Sequence, residues 1–374
     1  MGTEPFSAMR ALRTTRSLIA EKGSVPIIPI IPVIGICGYS GAGKTTLIEA
    51  LVPLLLQRGL AVAVVKHDAH QLTLDREGKD TDRFFRAGAT VLAHDAQQVF
   101  LRRAKTDADP EIGAAIRLLA TDHDVILVEG HKATPLPAKL WLERGGSDGP
   151  PAEVGPVLAS LPLDGGRVER ALPLIEDSVR DQFLRRPVRA GLLIGGASAR
   201  MGRPKHLLPY GDRTWVEHIA DAVRPNVDGV CIVGAGGLPP SLADCPGLLD
   251  VPGIAGPAGG MLAAMRWDPH ASWLFIACDM PRVTPEAVQW LLGQREPGRW
   301  AVIPRTPDGQ AQPLLAWYDP RISPALEQAG RPMALVDHPK TVTPLIPEPL
   351  SDAWWNANAP EDLHSPPAPS PPGG

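Results

Sequence analysis

A short apolar run, Val33–Cys37, leads into Gly38-Tyr39-Ser40-Gly41-Ala42-Gly43-Lys44-Thr45, and helical apolar spacing follows at Leu47, Ile48, Leu51, Leu54 and Leu55. This is G-x-x-x-x-G-K-T between a strand and a helix, the context the pattern requires. It commits the chain to a strand, a tight glycine turn and a helix in that order, the opening of a parallel α/β layer. Glycines let backbone N–H groups curl around phosphate oxygens. Lys44 then reaches the β- and γ-phosphates, Thr45 offers a hydroxyl to Mg²⁺, and the helix turns its positive end towards the anion. The competing reading is an ordinary strand-to-helix turn with an exposed lysine.

Downstream the chain alternates. Gly59 closes the helix. Apolar runs at 61–65, 90–93, 125–128, 139–142 and 157–160 read as strands, and 80–87, 111–120 and 176–185 read as helices. Runs of this kind fit buried parallel strands with helices on both sides. Arg185-Arg186-Pro187 is the expected boundary, because Pro187 cannot continue a helix. A second cycle then begins. Strands are expected at 188–194, 230–233, 273–277, 301–303, 314–317 and 341–346, and helices at 215–223, 259–267 and 285–292.

The second cycle carries its own glycine loop, Gly195-Gly196-Ala197-Ser198-Ala199-Arg200-Met201-Gly202-Arg203-Pro204-Lys205. It lacks Gly-Lys-Thr, and Lys205 lies far beyond the paired glycines. Such a loop can wrap a nucleotide, with backbone at the base and Arg200 and Lys205 neutralising a leaving pyrophosphate; taken alone it is also a flexible basic turn. Asp279 ends the apolar run 273–278, where ligands gather in open α/β sheets. A carboxylate opposite a basic loop suits Mg²⁺. Asp250, before the Gly253–Gly260 loop, is either a polar nucleotide contact or a turn residue. In the first half, Glu129 closes the run 125–128 and is either a Mg²⁺ ligand or a solvated strand end. Lys66-His67-Asp68-Ala69-His70 reads as a phosphate- or partner-contacting loop, with a metal set of His67, Asp68 and His70 as the lesser alternative.

Composition narrows the setting. The chain has 374 residues, enough for two domains, and a net charge of −4, which gives no general attraction to nucleic acid or anionic membrane. Cys37, Cys231, Cys245 and Cys278 show no C-x-x-C spacing, so neither a zinc site nor a redox dithiol is signalled, and a reducing cytoplasm is expected. No apolar stretch reaches the length of a membrane span. Residues 1–25 lack the apolar core of a secretory signal, and the tail from Ser365 is Pro-rich.

The first half resembles the MobB family, the GTP-binding adaptor of molybdopterin guanine dinucleotide synthesis. The resemblance rests on GYSGAGKTTL from Gly38, VVKHDAH from Val64, DREGKD from Asp75, RAGAT from Arg86 and ILVEGHK from Ile126, in that order. It implies GTP held by Gly38, Gly41, Gly43, Lys44, Thr45 and Thr46, with Mg²⁺ on Thr45 and Glu129 and weak hydrolysis. No guanine-specifying motif such as NKxD is present, so residue chemistry alone leaves the base open.

The second half resembles MobA, the molybdenum cofactor guanylyltransferases. It carries IGGASARMGRPK from Ile194, IAGPAGGMLAAM from Ile254, FIACDMP from Phe275, QPLLAWY from Gln312 and NANAPEDL from Asn356. Paired Gly195-Gly196 resembles the guanylyl rather than the cytidylyl branch. The resemblance implies Ile194, Gly195 and Gly196 at the base, Asp250 at the nucleoside, and Arg200, Gly202 and Lys205 at the triphosphate. It places Mg²⁺ on Asp279 and the pterin side near Asn358, with Lys205, Arg200 and Asp279 as the catalytic set. Two positions depart: Pro204 stands where the family usually has Asp, and Gly234 where many members have Asn.

The expected fold is therefore α/β, two three-layer Rossmann-like domains, a P-loop NTPase domain followed by a nucleotidyltransferase domain. The expected division is an extension at 1–30, a MobB-like domain at 31–186, a MobA-like domain at 187–364 and a tail at 365–374. The expected activity is GMP transfer from Mg-GTP to molybdenum-bound molybdopterin. Candidate partners include a molybdopterin insertion protein, molybdoenzymes and a second copy of the chain. The rivals are a cytidylyltransferase, a non-catalytic cofactor carrier, and a metallochaperone whose first domain is the principal NTPase.

Overall fold

The computed structural model describes residues 31–66, 75–104, 112–145, 149–195 and 204–357. The chain enters through Val33–Gly38 (β1), turns into Lys44–Gln57 (α1) and returns as Val62–Lys66 (β2). Asp80–Arg86 (α2), Val91–His94 (β3), Val99–Arg102 (β4) and Gly113–Leu119 (α3) follow. Val125–Glu129 (β5), Ala138–Leu142 (β6), Ala159–Leu161 (β7) and Arg167–Arg185 (α4) complete the first unit. Its sheet order is β2-β5-β1-β6-β7, parallel throughout. Ile34 and Ile36 pack with Leu47, Leu51 and Leu55 of α1 and with Ala171, Ile175 and Val179 of α4. Val33, Ile126 and Val128 face Ile112, Ile116 and Ala120 on the other side. Burial on both faces is why these strands are uninterrupted apolar runs.

Two expectations are corrected in this half. The segment at 90–93 is not a strand of the sheet: β3 pairs antiparallel with β4 as a separate hairpin. Val91 is buried, but Leu92, Val99 and Leu101 are exposed, so the segment has no second covered face. The helix expected at 176–185 starts at Arg167, because Val168, Ala171, Ile175 and Val179 extend one apolar stripe upstream through Pro173.

Val188–Leu193 (β8) opens the second sheet. Pro209–Tyr210 (β9), Arg213–Thr214 (β10), Trp215–Val223 (α5), Gly229–Val233 (β11), Gly247–Leu248 (β12), Pro257–Trp267 (α6) and Ser272–Ala277 (β13) come next. Pro285–Gly293 (α7), Ala301–Val302 (β14), Leu315–Tyr318 (β15), Ser323–Ala329 (α8) and Thr341–Val342 (β16) follow. The order is β12-β11-β8-β13-β15-β14-β16. The α5 and α7 helices cover one face, α6 and α8 the other. A wholly parallel sheet is corrected here too: β15 runs antiparallel to β13 and β14. No helix crosses between β14 and β15, and neighbouring strands joined without a crossover must run antiparallel. From β8 the chain moves out to β11 and β12 and returns to β13 on β8's other side. The carboxyl ends of β8, β11 and β13 therefore form a switch point.

The two sheets meet at their amino-terminal edges. Asp124, just before β5, is buried. Its carboxylate accepts from Arg321 Nη1 (2.5 Å), Lys340 Nζ (3.0 Å), Trp300 Nε1 (3.0 Å) and the Ala61 amide (2.7 Å). Lys340 also donates to Gly59 O at 2.6 Å. Buried Asp319 holds Arg321 and Arg186 on the transferase side. Gly298 permits close approach, since a Cβ there would lie 2.8 Å from Gly59 O. Among the described residues no helix is long and apolar enough to cross a membrane.

Candidate functional site

The first glycine loop joins β1 to α1. Gly41 and Gly43 have φ of 77° and 83°, a backbone L side chains rarely adopt. Gly43 caps α1 without a side-chain hydrogen bond, so the first-turn amides face the loop. Lys44 Nζ donates to Gly38 O (3.2 Å) and Tyr39 O (2.9 Å). Burial pulls its pKa down and Lys132 adds to this, while Glu129 opposes. Thr46 is exposed in the first turn of α1.

Thr45 Oγ1 donates to Glu129 Oε1 at 3.0 Å. Adjacent oxygens on an Mg²⁺ octahedron with bonds of about 2.1 Å are also separated by about 3.0 Å. The pair therefore fits one ion, brought together by the register of β5 beside β1. His67, Asp68 and His70 lie outside the described residues. Among the described residues there is no group of three or more His, Cys, Asp or Glu set to hold a metal.

Behind the loop stands Arg167, the first residue of α4, which the sequence reading missed. Its guanidinium donates to Pro162 O (2.7 Å), Ala42 O (2.6 Å) and Leu161 O (3.3 Å), and also to Glu143 O. It clamps the loop to the ends of β6 and β7. No local pattern could have revealed this, because Ala42 is 125 residues away.

At the second switch point Ile194, Gly195, Lys205, Asp250, Gly256, Gly260 and Asp279 line one cavity of about 340 Å³, together with Leu314. Lys205 Nζ lies 3.4 Å from Asp279 Oδ2 and donates to Ala357 O at 2.9 Å. Pro204 sets Lys205 at the start of a short 3-10 turn, Lys205–Leu207. Across the cavity Asp250 Oδ1 lies 2.9 Å from where a Cβ on Gly260 would stand. Gly234 has φ 109°, and a Cβ there would meet Gly195 N at 2.8 Å, so backbone packs on backbone at this position. Burial pushes the Cys278 thiol up to about 12, leaving it a neutral wall. Gly196, Arg200, Gly202 and Asn358 lie outside the described residues. Buried His206, next to Lys205 and also unread, makes a 2.9 Å hydrogen bond between Nε2 and Gly237 O.

Residues 33–151 match the family described as molybdopterin guanine dinucleotide synthesis protein B, and residues 190–338 match the MobA-like NTP transferase domain. A probable molybdenum cofactor guanylyltransferase of Pelotomaculum thermopropionicum is 31% identical over 46% of this chain and 88% of its own length. The molybdenum cofactor guanylyltransferase of Rhizobium meliloti is 32% identical over the same shares. The chain belongs to the molybdenum cofactor guanylyltransferases. Ahead of that guanylyltransferase half it carries a fused MobB-like half. The latter is 39% identical to the molybdopterin-guanine dinucleotide biosynthesis adapter protein of Haemophilus influenzae, over 28% of this chain. That match spans 60% of the adapter's length. The guanylyltransferase half is a nucleotidyltransferase domain.

Proposed function

We propose that this chain transfers GMP from Mg-GTP to the terminal phosphate of molybdenum-bound molybdopterin, releasing pyrophosphate. The observation that carries the reading is the convergence of Gly195, Lys205, Asp250 and Asp279 on one cavity. The base lies against Ile194 and Gly195, and Asp250 contacts the nucleoside; by the family resemblance Gly196 would also serve the base. The triphosphate runs towards Lys205, joined by Arg200 and Gly202. An acceptor phosphate oxygen attacks the α-phosphorus, the bond to the β-phosphate oxygen breaks, and pyrophosphate leaves with the electron pair. The nucleophile is already ionised, so positioning and charge neutralisation do most of the work. Lys205 turns from Asp279 to the phosphates, and Asp279 would hold Mg²⁺, which would supply further neutralisation. By the family resemblance Asn358 would help position the pterin side.

The first domain binds GTP in the Gly38–Thr45 loop with Mg²⁺ on Thr45 and Glu129, and assists handling of the cofactor. Fusion keeps one unit at high effective concentration near the other. Four free thiols suit a reducing cytoplasm. Insertion proteins and molybdoenzymes are the candidate recipients of the product, and a second copy of the chain a candidate partner.

The test supplies purified acceptor with Mg-GTP or Mg-CTP and reads the dinucleotide formed and the pyrophosphate released. Guanylylation is expected; none, under conditions where a known guanylyltransferase works, sinks the reading. A cytosine dinucleotide instead would establish the cytidylyl alternative. Asp279→Ala should lower turnover at least a hundredfold. A pure carrier would keep delivering cofactor after that change.

A further inference from the structure

The turn after Glu129 holds a second cation against the first loop. Gly130 and His131 have φ of 86° and 54°, and His131 is the one non-glycine at positive φ among the described residues. Such strain persists where the surroundings over-determine it, and it concentrates at ligand clamps. Here His131 Nδ1 pairs with Thr134 Oγ1 at 3.0 Å. Buried Lys139 donates to Lys132 O at 2.8 Å and to Val154 O at 2.6 Å, which fixes the Lys132 backbone. The Lys132 ammonium stands 4.5 Å from the centre of the Tyr39 ring, which rests edge-on against fully buried Trp141 at 5.3 Å. Tyr39 follows Gly38, and its carbonyl holds Lys44. The Arg144 guanidinium lies over the same ring at 4.8 Å.

A surface lysine normally ranges freely in water, yet half-buried Lys132 is held at its backbone by Lys139 and at its ammonium by Tyr39 of the phosphate loop. Its charge reaches both Lys44 and Cys37. Glu129, three residues earlier, marks the metal side, where with Thr45 it would hold an ion that neutralises phosphate charge. We propose that Lys132 is a second phosphate-binding residue of the first loop, contacting the terminal phosphate and selecting triphosphate over diphosphate. This rests on the loop's being a nucleoside triphosphate site.

The test titrates the full chain with fluorescent GTP analogue and fluorescent GDP in Mg²⁺, and takes as the first site the component abolished by Lys44→Ala. Lys132→Ala should weaken the triphosphate at least tenfold there and shift the diphosphate by less than twofold. Lys132→Arg should restore most of the difference. An equal loss for both nucleotides would assign Lys132 to packing on Tyr39 alone, and no loss would remove it from the site; either overturns the proposal. A wild-type chain with no Lys44-dependent component would overturn the loop reading itself, and the proposal with it.

Discussion

Arg167 shows how one side chain can set a loop it does not belong to. Its donors are all spent on main-chain carbonyls, and only 8% of the residue is exposed. Replacing it with Met keeps the aliphatic bulk and strands the Ala42 and Glu143 carbonyls, while Leu161 O and Pro162 O keep the amides of Glu143 and Asp164. Buried acceptors left without donors each cost on the order of 1 kcal/mol or more, so a loss of about 2 kcal/mol is expected. Urea unfolding of the full chain should show it as an earlier first transition, with weaker Lys44-dependent nucleotide binding. An unchanged midpoint would mean that the carbonyls find water and that the clamp contributes little. The same residue marks a limit of reading sequence. Lys44, Thr45, Lys205 and Asp279 carry their chemistry in local patterns. Arg167 and His206 acquire theirs only when distant backbone arrives.

At the scale of elements, helix α6 seats the second site. Its Gly259-Gly260 pair lets the helix lie on β11 and the Asp250 loop. A Cβ at 260 would come within 2.5 Å of Val233 Cγ1 and 2.9 Å of Asp250 Oδ1. Gly→Ala inside a helix ordinarily stabilises by up to about 1 kcal/mol. Overpacking against a β-branched side chain costs about 1–3 kcal/mol, so the clash should win. Gly260→Ala is expected to lower the melting temperature and to weaken GTP at the second site by displacing Asp250. A more stable variant with unchanged affinity would contradict this. Strands buried on both faces were legible because continuous apolar runs leave few alternatives. The β3–β4 hairpin and antiparallel β15 were not, since a four-residue apolar run looks alike in either direction and pairing partners are set by tertiary contacts. The candidate site was legible where it sits on a strand end and illegible in its supports.

At the scale of the molecule, the two sites face away from each other. Asp124 precedes β5, Lys340 precedes β16 and Trp300 precedes β14, so docking uses the amino-terminal edges of both sheets. Gly38–Thr45 and the cavity at Gly195 and Asp279 lie at the carboxyl edges. At about 3.3 Å per residue, two strands and their flanks put the sites on the order of 40 Å apart. Neither loop can contact a ligand held by the other within one chain, so nucleotide should bind each site without affecting the second. The docking itself is electrostatic and buried. Burial alone would raise the Asp319 pKa, but Arg321 and Arg186 outweigh it and hold the carboxyl down at about 2. Asp124 is also held below the ordinary range, against its burial, chiefly by Arg321. A depressed carboxylate stabilises above its unfolded pKa, so this contribution is complete above about pH 4 and fades as pH falls towards about 2. Removing one partner at neutral pH has the same sense. Asp124→Ala takes the only carboxylate from Lys340, which keeps just Gly59 O, and one of two from Arg321, which keeps Asp319, so the loss should fall towards the lower end of the about 3–5 kcal/mol that breaking a buried pair costs. Small-angle scattering should then report a larger radius of gyration at pH 7, while the guanylyl transfer rate stays within twofold. A tenfold fall in transfer with undocking would mean that the interface carries a signal between the sites, and that the two domains are coupled rather than only tethered.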